Sequence, residues 1–192
     1  MCYVKQFLQK MSVSLRARLR KLLIGLFLGI PLSFQLQASP DAGRHIDEYG
    51  IKAAFIFNFI AFTQWPDSND QILNLCIYGE DYFGAEIDRL QERTVNHYAI
   101  EVTRLTDIDT IQECQILFVS KSEIGNLSVI LSKTDKKPVL TIADSQGAAR
   151  HGVIINMNLV ENKIKFEINL ESARSGGLHI SSKLLQLATQ IY

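Results

Sequence analysis

The signatures of the common nucleotide-binding and hydrolytic sites are missing from this sequence. It contains no G-x-x-x-x-G-K-[ST] phosphate loop, no G-x-S-x-G elbow, no H-E-x-x-H pair and no G-x-G-x-x-G turn. Histidine is scarce, and His45, His97, His151 and His179 stand alone, without the spacing that metal ligation needs. Asp144-Ser145 and His151 are the one set from which a Ser/His/Asp relay can be drawn. Asp-Ser-x-Gly is also ordinary turn chemistry, and that reading is preferred. Glu167 has no second carboxylate at a fixed spacing with which to share acid and base roles. The expectation is a chain without catalytic residues, cofactor or metal.

Acidic residues are absent from positions 1–38, which instead hold six basic ones: Lys5, Lys10, Arg16, Arg18, Arg20 and Lys21. The apolar run Leu22–Phe34 follows, interrupted by Gly25, Gly29 and Pro31. A membrane-spanning helix needs about 20 apolar residues. A basic start, a short apolar run and a small residue at Ala38 together predict a secretory signal peptide over residues 1–38. An uncleaved N-terminal anchor is the alternative. Residues 39–192 then form one domain. Of the 20 Lys and Arg, 14 remain there against 20 Asp and Glu, about six net negative charges. That balance argues against nucleic acid as a partner and against docking on anionic lipid by charge alone.

Cysteine is also sparse. Of three, Cys2 falls in the leader, so no lipid-attachment cysteine follows its apolar run, and Cys76 and Cys114 remain. An even count in an exported chain favours a disulfide, worth about 4 kcal/mol for this loop on a chain-entropy estimate. Two buried free thiols are the alternative.

What is present is alternation. Asp47–Gln64 reads as an amphipathic helix stopped by Trp65-Pro66, with Ile51, Ala54, Phe55, Phe59 and Phe62 on one face and Lys52 off it. Phe57 and Ile60 widen the apolar stripe until two covers are needed. Strands are predicted at 72–78, 99–105, 115–120, 138–143, 153–159 and 164–169, with helices at 82–91 and 122–133 and a helical or turn segment at 106–113. Glu161-Asn162-Lys163 suits a hairpin between the last two strands. Ser181-Ser182 then caps a terminal helix, Lys183–Ile191, with Leu184, Leu185, Leu187, Ala188 and Ile191 as its stripe. The expected fold is α/β: a mainly parallel sheet of about six strands, helices on both faces, an antiparallel edge hairpin and a C-terminal helix. No repeat or internal linker is present.

Several blocks resemble the YfiR-like family of periplasmic proteins. They are Gly50–Pro66, Leu75–Gly79 with Phe83-Gly84, Cys114–Phe118, and Phe166–Asn169 through Ala173, Gly177-Leu178, Ser181–Leu185 and Leu187-Ala188. His151-Gly152 and Met157 depart from the family pattern. The resemblance implies a regulator in the periplasm that holds an inner-membrane diguanylate cyclase inactive, lowering cyclic di-GMP and biofilm output. It implies modulation by redox state or by an outer-membrane regulatory protein, homodimers, and a Cys76–Cys114 disulfide.

Such a regulator needs a surface selective for one state of its target. The expected contacts are Glu167 and Asn169, outward on an edge strand, with Leu178 and Ile180 in the following loop; Phe57, Ile60 and Trp65 on the first helix come second. A periplasmic small-molecule sensor is the alternative, with its crevice at the strand ends near Gly79–Asp81, Ser120 and Asp144.

Overall fold

The structure is a computed structural model that describes residues 47–66 and 71–192; the expected signal peptide lies outside them. Helix α1, Glu48–Ala61, begins where the Asp47 carboxylate accepts the Gly50 N–H at 2.9 Å. After α1 come β1 (Thr63–Gln64), β2 (Ile72–Tyr78), α2 (Ala85–Asp88), β3 (Thr94–Val95) and β4 (Tyr98–Leu105). A 3-10 segment, Ile108–Glu113, leads to β5 (Ile116–Val119), and another, Lys121–Asn126, to α3 (Leu127–Thr134). β6 (Leu140–Ala143), β7 (Ile155–Val160), β8 (Lys163–Ile168), α4 (Leu170–Ser175), β9 (His179–Ile180), α5 (Ser182–Leu185) and β10 (Gln190–Ile191) complete the chain. No helix among the described residues is long and apolar enough to cross a membrane.

The main sheet has eight strands in the order β10-β8-β7-β6-β5-β2-β4-β3. Its neighbours are parallel except at β3–β4 and β7–β8. The six long strands occupy the expected places; the count rises to eight because two-residue strands cap both edges. β1 and β9 pair separately as a short antiparallel ribbon. The hairpin between β7 and β8 turns on two residues, Glu161 and Asn162, both at positive φ (51° and 59°), with Val160 opposite Lys163. Positive φ at both central positions is the type I′ geometry whose twist matches a hairpin.

Alternate residues of the central strands enter two apolar clusters. Leu73, Leu75 and Ile77 of β2 join Ile56, Phe59 and Ile60 of α1, together with Phe118, Ile142 and Phe166. Cys76 joins Leu117 and Val119 of β5 with Leu127 and Ile130 of α3. Burial on both faces is why β5 and β6 read as unbroken apolar runs.

Three local expectations are corrected. On α1 the buried residues are Lys52, Ala53, Ile56, Phe59 and Ile60, whereas Ile51 and Ala54 are exposed, so the inward face is rotated from the expected one. Between β2 and β3, only one helical turn forms, because the Asp81 carboxylate takes the N–H groups of Phe83 and Gly84 in a tight turn and Gly84 sits at φ 53°. The terminal helix stops after Leu185: Leu187 is 68% exposed, and the tail extends as β10, with the Thr189 and Tyr192 N–H groups donating to the carbonyls of Phe166 and Ile168. Thr189, Ile191 and Tyr192 are strand formers, and an unpaired flank of β8 offers them hydrogen bonds. β8 is therefore not the sheet's edge strand.

Candidate functional site

Leaving β2, the chain goes first to β4 on one side; β5 then inserts on the other. In parallel sheets this reversal opens a crevice beyond the carboxyl ends of the two strands, here at Gly79 and Ser120. Gly79 has φ 96°, and a Cβ there would lie 2.5 Å from Ser122 Oγ, so the two strand ends approach closely only with glycine. β6 ends beside them at Asp144.

The N-terminal turn of α1 closes over this end. Lys52, with a side chain 1% exposed, places Nζ 2.5 Å from both Glu48 Oε1 and Asp144 Oδ2. Tyr49 donates its hydroxyl to Asp144 Oδ2 at 3.0 Å, and Lys121 Nζ lies 3.6 Å from the same oxygen. The Tyr49 ring stacks on Tyr82 and meets Phe83 edge-on, with Lys52 Nζ 4.2 Å from its centroid. Burial and then the Asp144 charge push the Tyr49 phenol well above its ordinary pKa. Asp144 Oδ1, Ser120 Oγ and Ser145 Oγ are buried without a hydrogen-bond partner. The Asp144 side chain is only 1% exposed, covered by Lys52 and Tyr49. Lys52 and Asp144 as a buried pair were missed in the sequence, where Lys52 looked like a polar-face residue.

The relay drawn from Asp144, Ser145 and His151 does not assemble. Asp144 is engaged by Lys52 and Tyr49, while His151 Nδ1 lies 2.8 Å from the Gly147 carbonyl oxygen. Among the described residues no group of three or more His, Cys, Asp or Glu side chains could hold a metal.

Cys76 on β2 and Cys114, two residues before β5, form a disulfide with Cα atoms 5.9 Å apart, inside the usual range. Both are buried.

The residues expected to meet a partner are scattered. Asn169 is buried: its Oδ1 accepts from Ser172 N–H and caps α4, and its Nδ2 donates to the Ala149 carbonyl. Leu178, Ile180 and Ile60 belong to the core. Glu167 is half-buried, with Oε2 covered and unpartnered. Phe57 is half-buried beneath the Arg93 guanidinium, 3.9 Å from its ring centroid. Trp65, also half-buried, meets Tyr98 edge-on and lines an open cleft of about 530 Å³ with Phe62, His97 and Lys183.

Two solved structures are similar to part of this chain. One is described as the ABC domain in complex with L-Trp from Streptococcus pneumonia, at 12% identity and a TM-score of 0.49, covering 71% of this chain and 59% of that one. The other is a conserved domain protein from Vibrio cholerae O1 biovar eltor, at 11% identity and a TM-score of 0.46, covering 75% and 60%. This chain therefore spans about three fifths of the length of each. No protein of curated function matches the sequence. Residues 49–189 match the YfiR/HmsC-like family, which takes in nearly all of the described fold, and the chain belongs to that family.

Proposed function

We propose that this protein is a periplasmic regulator that binds the periplasmic part of an inner-membrane diguanylate cyclase and holds it inactive, lowering cyclic di-GMP and biofilm output. The family match over residues 49–189 carries the reading. The basic, then apolar, leader up to Ala38 supports export, and the buried Cys76–Cys114 bond suits an oxidising compartment. In this reading Glu167, Phe57 and Trp65 are the expected contact residues that still have exposed atoms; Asn169, Leu178, Ile180 and Ile60 shape the surface from beneath it. Redox state, through the disulfide, or an outer-membrane regulatory protein modulates that hold, and the regulator works as a homodimer.

The test is crosslinking of the exported chain in inner membranes followed by mass spectrometry. Capture of a cyclase with a periplasmic segment is the expected result. Reproducible failure, with crosslinking shown to work, would overturn the reading. The unpartnered polar atoms of Ser120, Asp144 and Ser145 at the strand ends favour a second one, a small-molecule sensor. A ligand-induced thermal shift that vanishes in Asp144→Asn is its signature.

A further inference from the structure

One end of the main sheet is only partly covered. β10 pairs with Glu167 and Ile168 of β8, and the Thr189 N–H reaches the Phe166 carbonyl. Toward the hairpin turn this flank stops. The Phe166 and Ile168 carbonyls point to β10, so by strand alternation the Ile164 N–H and C=O point the same way, away from β7. Among the described residues nothing pairs with them.

The side chains around this open stretch differ on its two faces. Ile164 lies on the face of Phe166 and stands opposite Leu159, which is 45% exposed, extending the main apolar cluster to the rim. The other face carries Lys163 and Lys165, both exposed, on a domain with an excess of acid.

We infer that the free flank of β8 at Lys163–Lys165 is a docking edge for an extended segment of a partner protein in which acidic and apolar residues alternate. An added strand satisfies the Ile164 backbone, sets an apolar side chain beside Ile164 and Leu159, and sets carboxylates beside the two lysines. A second copy of this chain is disfavoured, because two-fold antiparallel pairing about Ile164 would oppose Lys163 to Lys165 in both registers of the pair. The inference rests on the partner-binding reading and names the chemistry of the partner.

The probe is a fluorescein-labelled octapeptide of alternating glutamate and valine, followed by anisotropy with the purified exported chain. Saturable binding is expected, weakened about tenfold by Lys163→Glu/Lys165→Glu, two exposed changes that leave the core untouched. The same peptide methylated on alternate backbone nitrogens, and one of alternating lysine and valine, are expected not to bind. Equal binding of the methylated peptide or of the double variant would overturn the inference, as would no binding of the first peptide. So would crosslinks joining Lys163 to the same segment of another copy. If wild type and double variant capture the same cyclase from membranes equally well, the edge is wrong and the regulator reading stands. If neither captures one, the regulator reading fails and the peptide result still judges the edge.

Discussion

The Lys52–Asp144 pair gives the sharpest stability prediction. Replacing Lys52 with Met keeps the length of the side chain and its helix propensity but removes the cation. Asp144 then keeps only the Tyr49 hydroxyl at 3.0 Å and the exposed Lys121 ammonium at 3.6 Å. Both members of the pair are 1% exposed, so solvent screening does not soften the loss. Removing one partner of a buried pair costs about 3–5 kcal/mol, because the other charge stays buried and uncompensated. For a domain of this size, about 2–4 °C of Tm follows each kcal/mol, so Lys52→Met lowers Tm by roughly 6–20 °C.

The assay is urea unfolding followed by circular dichroism, with Lys52→Met, Asp144→Asn and the double variant closing a cycle. The double variant is expected to recover part of the loss, since the amide oxygen introduced by Asp144→Asn still accepts from Tyr49 and the one carboxylate left without Lys52, Glu48, is partly exposed. A Lys52→Met protein within about 1 kcal/mol of wild type, or a double variant whose loss equals the sum of the singles, would refute the argument. The first result would mean that Asp144 takes up a proton or that water reaches it, and α1 would then be held by its apolar face alone.

Three further outcomes follow from other groups. Cys76→Ala/Cys114→Ala opens a loop of 38 residues and is expected to cost about 4 kcal/mol in the same assay; a loss under about 1 kcal/mol would contradict it. Asn169→Ala removes the α4 cap and the Nδ2 bond to the Ala149 carbonyl, which keeps the Gly152 N–H, for about 1–2 kcal/mol, checked by thermal unfolding. The Tyr49 phenol ionises above its unfolded value, so the folded state holds its proton where the unfolded chain has lost it. Its contribution is intact below about pH 10 and falls as pH rises beyond that. Tyr49→Phe should therefore flatten the alkaline decline of stability, and an unchanged slope would count against the burial of Tyr49 and its Asp144 contact together.

The long strands were legible because burial on one or both faces is written into the period of the residues themselves. Leu73, Leu75 and Ile77 alternate with Asn74, Cys76 and Tyr78, and the unbroken run Ile116–Val119 announces a strand covered on both sides. The cysteine pair was legible from its even count and the absence of any other partner. The partner of Lys52 was not, because it lies 92 residues away and no local pattern marks it. A lysine on an apolar helix reads as solvent-facing until an acid is known to end the strand beneath it. The face of α1 was misread for the same reason: Ile51 and Ala54 lie outside while Lys52 lies inside, an arrangement that only the charge beneath makes tolerable.

The C-terminal segment shows a different limit. Leu184, Leu185, Leu187, Ala188 and Ile191 fit a helical stripe, yet helix spacing measures only which residues would share a face, not whether a surface awaits them. After Leu185 the competing demand is backbone: β8 has an open flank, and the tail satisfies it at Phe166 and Ile168. β10 pairs with only the last two residues of β8. Apolar residues in excess of one core were read as a partner surface; Ile60, Leu178 and Ile180 instead fill the main cluster, and Phe57 and Trp65 pack against it. Among the described residues, the part of β8 that packing and β10 do not consume is the backbone at Ile164, flanked by Lys163 and Lys165 at the rim.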